Sequence, residues 1–597
     1  MTQTEQRPET DADHTGAPGP RTLIFTATYN EVSNIDILID HIFALGIDVE
    51  ILVVDDNSPD GTGRHLDSRA ATEPRLHVVH RPGKLGLGTA HQLGMLYAVQ
   101  HGFDRLVTMD ADLSHNPAEI PALLAKLEDA DFVIGSRYAS GGSSDYDGYR
   151  RFLSVTANTL AHRLLGVPTR EFTTSFRAFR VEMLKSRRCA KLKGGGYSYF
   201  METVYRLHRA GFRMAEVPIQ FRDRHSGFPK IPRFEIFSGI AKLLHLTLSR
   251  LARRSSIPAT NIEDKCRGCG SSYLMQYHAA SERPDETGAG AEAYRCSSME
   301  HHSKPQVALC LQCGLMQIPA GKHPSNLDEL YADVEDRLYL ENAAARQVTF
   351  ERLMDRISRW LGEPGRLLEV GAYCGLFLEV AKARGWTVEG VEPSRWAAGQ
   401  ARDRLGVPVH QGALDTVRDR LSPPYDVIAA WDVLEHVEAP FDMLLQANRL
   451  LRPGGTLAFS TLDAGNWFPR LLGRSWPWLM DMHLYYFTRP LLRRWLAQAG
   501  FEPAYVDDYR HYTTLSYLAQ KIATLLPGPL GRLVEPLARV LPTGMAVPVS
   551  FGDIVLVVAH KVRDVDLADG TLSDQISTPA PARPEPKAPA VDNASAE

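Results

Sequence analysis

Four cysteines in two C-x-x-C pairs, Cys266/Cys269 and Cys310/Cys313, sit mid-chain, and on either side β-rich apolar runs alternate with segments of helical periodicity. Such alternation buries both faces of a sheet when helices cover it. The chain is therefore predicted to be α/β, two parallel or mixed sheets joined by a cysteine module. The first side carries LIFTATY, VEILVVDD, LHVVH, RLVTMDAD and DFVIGSRY, with helical spacing over Ile35–Leu45 and Thr89–Gln100. The second carries RLLEVG, WTVEGVE, VPVHQ, YDVIAAWD, GTLAFST, AYVDD and DIVLVVAH. The two sets share no motif, which argues against duplication. Residues 1–20 and 563–597 are rich in Pro, Ala, Thr and acids without apolar periodicity and read as disordered tails.

Each C-x-x-C is followed by glycine, Gly270 and Gly314, and forms a tight knuckle. Two knuckles supply the four thiolates that Zn²⁺ prefers, and a full set of four leaves no position for substrate, so the metal is expected to be structural. Cys296, His301 and His302 lie between the pairs and read as loop residues; Cys189 and Cys374 read as ordinary small buried or half-buried side chains. The net charge of −5 gives no basic surplus, so no nucleic acid is expected as a partner. No apolar run approaches the ~18–20 residues that cross a bilayer, and the first residues lack the basic-then-apolar order of a signal peptide. A cytoplasmic chain with at most peripheral membrane contact is expected.

In the first unit, strand two ends in Asp55 and Asp56 and strand four in Asp110-Ala-Asp112. The carboxyl edge of an open α/β sheet is where ligands sit. Two carboxylates one residue apart can face a hard divalent ion, Mg²⁺ or Mn²⁺, which would neutralise a diphosphate leaving group. Alone, such a pair reads more readily as solvated strand-end acids than as a metal site.

The order TYNE (Thr28–Glu31), VVDDNSPDGTG, K-x-G-L-G (Lys84–Gly88), MDADLSHNP, GSRY, RRFLS, TTSFRAFR and GYSYFMETVYR resembles family 2 glycosyltransferases of the GT-A fold, specifically the dolichol- or polyprenol-phosphate mannosyltransferase group. The resemblance covers about residues 22–236. It implies that Thr28, Tyr29, Asn30, Glu31, Asp55, Asp56, Lys84 and Gly86 hold the nucleotide sugar and that Asp110 and Asp112 hold the metal. It also implies that Arg137, Arg150 or Arg151, Ser154 and Lys230 grip acceptor and donor phosphates. The implied reaction is inverting transfer of a hexose, GDP-mannose being the favoured donor, to a polyprenyl phosphate in a membrane. A phosphate monoester is already anionic near neutral pH, its second pKa lying near ~6, so it needs no strong base. Ala27, Ser114, Glu171 and Ser175 depart from the family's usual Pro, Gln, Asp and Gly; none removes a required charge. A UDP-sugar donor with a glycan or natural-product hydroxyl as acceptor is the rival reading.

A following stretch, Phe234–Arg254, places Phe237, Ile240, Leu244, Leu248 and Leu251 on one helical face, with Lys242, Arg250, Arg253 and Arg254 mainly elsewhere. Such a basic amphipathic helix, set within an expected linker at 236–260, can lie in an anionic membrane surface or pack on its own domain.

The second unit opens on Glu369-Val-Gly371-Ala-Tyr-Cys-Gly375, and about twenty residues on, Glu392 ends strand two, where an acid can accept both ribose hydroxyls. With WDVLEHV (Trp431–Val437) and L-x-P-G-G (Leu451–Gly455), these residues resemble class I S-adenosylmethionine (SAM)-dependent methyltransferases, roughly over 340–562. Taken with the cysteine module, placed at 261–325, the unit is similar to the zinc-containing sugar methyltransferases. The resemblance implies cofactor contacts from Glu369, Gly371, Gly375 and Glu392, from Asp415 near the adenine, and from Asp432. Glu435 would lie near the cofactor or substrate pocket. His436 and His483 are candidate general bases for a hydroxyl or an acidic carbon, or else hydrogen-bonded core residues. The implied methyl acceptor is an unidentified small molecule; a SAM-binding scaffold without turnover is the rival. The apolar Thr514–Leu541 stretch could cap a substrate, join the units or touch lipid.

Overall fold

A computed structural model of the chain describes residues 19–146, 148–185, 198–222, 233–251, 262, 264–280, 304–322, 327–341, 343–516, 518–519, 523, 536, 540–541 and 546–565. Lys230, Cys189, Cys296, His301 and His302 lie outside the described residues, as do most of Thr514–Leu541 and nearly all of both expected tails. The chain divides into two units, residues 1–79 with 86–258, and residues 80–85 with 259–597.

In the first unit the strands are β1 (Thr22–Thr28), β2 (Val49–Asp55), β3 (Leu76–His80), β4 (Arg105–Thr108), β5 (Phe132–Ser136), β6 (Ser143–Ser144), β7 (Arg177–Arg180), β8 (Met214–Pro218) and β9 (Gln220–Phe221). Seven of them form one sheet in the order β3-β2-β1-β4-β7-β5-β8, and β6 pairs with β9. β1 runs parallel to β2 and β4, whereas β7 is antiparallel between β4 and β5. The Ile35–Phe43 helix shows why the layers close: Ile35, Leu38, Ile39 and Ile42 recur at helical spacing and are fully buried with Ile24, Ile51 and Val53 of the sheet. The Leu87–Gln100 helix lies so near β1 that a Cβ on Gly94 would stand 2.4 Å from the Phe25 ring.

The Arg233–Leu251 helix ends this unit's described part. Leu243 and Leu246 are buried, and Lys242 reaches the buried Glu202 at 2.5 Å. Ile240, Leu244 and Leu248 face outward at 52%, 55% and 65% exposure. The helix thus both packs on its own unit and leaves an apolar stripe uncovered. No described helix is long and apolar enough to cross a membrane.

The second unit adds β10 (Leu274–His278), β11 (Val307–Cys310), β12 (Met316–Gln317), β13 (Arg366–Val370), β14 (Thr387–Glu392), β15 (Val409–Gln411), β16 (Tyr425–Trp431), β17 (Leu451–Leu462), β18 (Tyr485–Tyr486), β19 (Phe501–Asp508), β20 (His511–Thr514), β21 (Ala546–Val549) and β22 (Ile554–Lys561). Its main sheet runs β15-β14-β13-β16-β17-β22-β19, parallel except at β22, which is antiparallel to both neighbours. The cysteine module is not a free-standing ribbon. Its strands continue as β10-β11-β12-β18, so a strand drawn from the loop before the Arg489–Gln498 helix completes its sheet. Arg267 strengthens the join, its amide donating to Gln317 Oε1 at 3.0 Å and its guanidinium to Tyr485 Oη at 3.2 Å.

Candidate active sites

In the first unit Thr28 lies beside Asp55 in register, and β4 lies on the other side of β1, so the loops after β1, β2 and β4 share one edge. Each holds a non-glycine residue in the left-handed region: Asn30 (φ 60°), Asn57 (φ 56°) and Leu113 (φ 63°). Strained backbone of this kind persists where surrounding bonds over-determine it. Asp55 supplies such bonds, accepting from Thr28 Oγ1 at 3.1 Å, Ser58 N at 3.1 Å and Ser58 Oγ at 2.5 Å. Asn30 N donates to Ser58 Oγ and Glu31 N to Thr62 Oγ1, which ties the TYNE turn to the loop after β2. Asp56 is buried at the same edge.

Asp112 Oδ1 accepts from Ser114 N at 3.1 Å and Ser114 Oγ at 2.6 Å, so the short serine that replaces glutamine clamps a carboxylate oxygen. The Asp110 side chain is about one third exposed (34%), whereas Asp112 is buried. Behind them lies His115, which sequence reasoning passed over. Its Nδ1 accepts from Asp110 N at 3.2 Å while its ring stacks on Phe176. Burial holds this imidazole below the usual histidine range although Asp110 and Asp112 pull the other way. The Asp110 amide bond uses a lone pair on Nδ1, which the neutral ring supplies.

Arg137 is buried and held by Glu171 through Nε–Oε2 at 2.8 Å and Nη2–Oε1 at 2.9 Å, with Nη2 also donating to Thr173 Oγ1 at 2.8 Å. Burial alone would weaken the guanidinium's charge, but Glu171 more than offsets it. The glutamate that replaces aspartate thus engages one edge of the Arg137 guanidinium with both carboxylate oxygens. Tyr138 Oη donates to Ser154 Oγ at 2.6 Å, and Asn158 Nδ2 reaches Thr173 at 3.4 Å, so Arg137 and Ser154 share one network. Arg150 and Arg151 are exposed on the Gly148–Leu165 helix. Gly86 opens the Leu87–Gln100 helix with φ 103°, and Lys84 falls in the 80–85 segment grouped with the second unit.

In the second unit, Gly371 (φ 74°) and Gly375 (φ 75°) bracket the turn after β13. A Cβ on Gly371 would stand 2.5 Å from Val433 Cγ2, and one on Gly375 2.8 Å from Leu405 Cδ1, so neither position admits a side chain. Tyr373 (φ 44°) fits where the resemblance expects glycine because its ring turns away from the turn, its hydroxyl donating to buried Asp336 at 3.2 Å. Its amide donates to Glu392 Oε2 at 2.8 Å, and Ser394 N to Oε1 at 2.8 Å. Burial nevertheless pushes Glu392 up to about 7. Neighbouring Glu369 is pushed well above the carboxylate range, by burial first and then by Glu392. Two buried acids that resist ionising suit a ligand that brings positive charge and hydroxyl donors, as SAM does. Asp415 is exposed, its Oδ1 accepting from Thr416 N at 2.9 Å in the first turn of the Leu414–Val417 helix.

Asp432 (φ 53°) follows β16 and accepts from Ser460 Oγ at 2.7 Å. Glu435 accepts from Thr461 Oγ1 at 2.8 Å, and burial, then Asp432, pushes it up to about 8. His436 is lowered to about 4 by burial. Its ring lies 4.7 Å from that of His483, so the structure brings the two expected bases together. It adds Tyr509, buried in the turn after β19, and His511, half-buried at the start of β20, near Asp432; no spacing pattern marks them, because they come from late in the chain.

The four cysteine Sγ atoms of the module are buried and mutually close, Cys266–Cys313 at 3.5 Å and Cys269–Cys310 at 3.6 Å, with no disulfide. This donor set fits tetrahedral Zn²⁺. Cys374 is buried and unbonded to another cysteine, as expected.

Residues 23–188 match the family model described as glycosyl transferase family 2, and residues 342–506 match one described as methyltransferase domain. The chain is 40% identical over 229 residues to the polyprenol monophosphomannose synthase of Mycolicibacterium smegmatis, which spans 38% of this chain and 86% of that relative. The chain belongs to glycosyltransferase family 2. It is also 37% identical over 212 residues to the undecaprenyl-phosphate mannosyltransferase of Micrococcus luteus, across 35% of this chain and 87% of the relative. Each likeness covers less than two fifths of the chain, and the second unit carries a SAM-dependent methyltransferase domain of class I topology. The family 2 member is therefore a bifunctional glycosyltransferase and methyltransferase.

Proposed function

We propose that the glycosyltransferase unit moves a hexose, mannose from GDP-mannose, to a polyprenyl phosphate with inversion, and that the second unit methylates a small molecule, a sugar or a lipid-linked sugar among the candidates. The observation that carries the first half is the shared edge of Asp55, Asp110 and Asp112 in a chain so close to two lipid-phosphate mannosyltransferases. Asp110 and Asp112 would hold Mg²⁺ or Mn²⁺, which offsets the charge of the departing diphosphate. Thr28 to Glu31 and Asp55 line the place for base and ribose, with Asp56, Lys84 and Gly86 as further candidates. Arg137, fixed by Glu171, presents a rigid cation, and Arg150, Arg151, Ser154 and Lys230 are the other candidates for the acceptor phosphate. Positioning and electrostatics do the rest, since the phosphate nucleophile needs no base.

The acceptor's location supports peripheral binding at the cytoplasmic face. Ile240, Leu244 and Leu248 are uncovered, as are Tyr149, Phe152 and Val155 of the Gly148–Leu165 helix that also carries Arg150 and Arg151. Apolar side chains beside arginines suit an anionic lipid surface. In the second unit Glu392 takes the ribose, with Glu369, Gly371 and Gly375 around the methionine portion, Asp415 as a candidate at the adenine, and Asp432. His436 and His483 face the acceptor and make it nucleophilic.

Mass spectrometry of membrane lipids incubated with the protein, SAM and either GDP-mannose or UDP-glucose tests both halves. A polyprenyl phosphate gaining mannose from GDP-mannose is expected, together with a methylated product that depends on SAM. Transfer from UDP-glucose alone, or to a soluble hydroxyl, would overturn the donor or acceptor assignment.

A further inference from the structure

Beyond the four cysteines, one other group of described residues gathers metal-ligating atoms. Glu435, His436 and His483 each offer one, all within 4.8 Å of one another. Glu435 and His483 are buried at 1% and 6% exposure, and His436 is partly buried. Two loops bring them together. One follows β16 and the other precedes β18, and Leu484 N donates to Glu435 O at 2.8 Å across the join.

The orientation of the rings is the telling observation. His436 Nδ1 stands 3.0 Å from the carbonyl of Met482, and His483 Nδ1 stands 2.8 Å from the carbonyl of Trp478. A carbonyl can only accept, so His483 Nδ1 carries the hydrogen and its Nε2 the lone pair, and His436 makes the same bond to Met482 in the tautomer that protonates its Nδ1. Metal-bound histidines are held in this way, with the distal N–H donated to a carbonyl that fixes tautomer and ring direction. Tyr331 Oη at 2.8 Å from His436 Nδ1 and Thr461 Oγ1 on Glu435 complete the outer support. Two imidazoles and a carboxylate form the donor set of catalytic Zn²⁺ and of other divalent transition metals, with a coordination position left over.

We propose that Glu435, His436 and His483 bind one divalent transition-metal ion, separate from the cysteine site. The position left over would accept an oxygen of the methyl acceptor. In that arrangement the imidazoles act on a hydroxyl through the ion rather than as free bases. The proposal concerns the ion itself and holds whichever molecule is methylated.

The test uses the full chain, stripped of metal and titrated with Co²⁺, with bound metal counted by mass spectrometry and SAM binding measured alongside. Two equivalents are expected, one giving a thiolate-to-cobalt charge-transfer band and one giving only ligand-field bands. His483→Ala and Glu435→Gln should each weaken the second site by at least the roughly 10- to 100-fold that loss of an outer-shell partner costs, with the thiolate band and SAM affinity retained. Cys269→Ser should remove the thiolate band instead. A single equivalent in the unaltered protein, or two tight equivalents in either variant, overturns the proposal. Should His483→Ala fail to fold, as loss of SAM binding and of the thiolate band would show, the Glu435→Gln titration decides alone. If the second equivalent is absent while SAM-dependent methylation proceeds, the metal site fails and the methyltransferase reading stands.

Discussion

The two catalytic units solve one construction problem alike and one charge problem oppositely. In both, the loops at the carboxyl ends of parallel strands carry left-handed non-glycine residues: Asn30, Asn57 and Leu113 in the first, Tyr373 and Asp432 in the second. Strain is placed where ligands are expected, and side-chain bonds hold it there. Charge is handled differently. The glycosyltransferase edge pairs the buried Arg137 with Glu171 and leaves Asp110 partly in water. The methyltransferase edge instead buries Glu369, Glu392 and Glu435 and holds each of them above the usual carboxylate range. An edge facing a polyanion needs its charges formed in advance. An edge facing a sulfonium and a ribose can wait for the ligand to ionise it.

The sharpest break of this contrast is Glu171→Ala, which strands Arg137 as a buried unpaired cation. It should destabilise the first unit by about 3–5 kcal/mol, read as an earlier denaturation midpoint, with Glu171→Asp recovering part of the loss. An unchanged midpoint would mean that Arg137 finds another anion. Next, Asp112→Ala should lower sugar transfer by roughly 10²–10³-fold and leave SAM-dependent methylation intact; equal loss of both activities would deny that the sites are separate.

The buried acids predict a pH effect of definite sign. Glu392, at about 7, and Glu435, at about 8, bind a proton more tightly folded than unfolded. Each therefore stabilises the cofactor-free fold fully at low pH and ceases to do so as pH rises from the unfolded carboxylate range through those values. Stability of the SAM-free second unit should fall between pH 5 and 8, by up to about 3 kcal/mol for Glu392, and Glu435 adds a similar fall only where its proposed metal ion is absent. SAM affinity should rise with pH through about 7, since ribose hydroxyls favour ionised Glu392. Glu392→Ala should weaken SAM by about 10- to 100-fold and flatten that pH profile. Smallest is Tyr373→Phe, which removes the bond to Asp336 and should cost about 1 kcal/mol in thermal melts, with little change in SAM affinity.

Much of this was legible in the chain. Alternation of β-rich runs and helical spacing placed the principal strands, and the acids at strand ends marked the site edges, because backbone geometry brings those ends together without any help from distant side chains. What stayed hidden depends on long-range pairing. Nothing near Glu171 in the sequence announces that it grips Arg137, and His115 looks like a loop residue until Phe176 and the Asp110 amide are seen around it. The histidine pair was visible only as two separate residues. Their common orientation comes from backbone carbonyls, which leave no trace in residue identity.

The sheet that runs from the cysteine knuckles into Tyr485–Tyr486 has a practical consequence for anyone dissecting this enzyme. A shortened gene product starting after the knuckles would leave the backbone groups of that last strand without their neighbour, two residues downstream of His483. Chelating agents should accordingly be felt at the methyl-transfer pocket as well as in the knuckles, and purification buffers become part of any activity measurement.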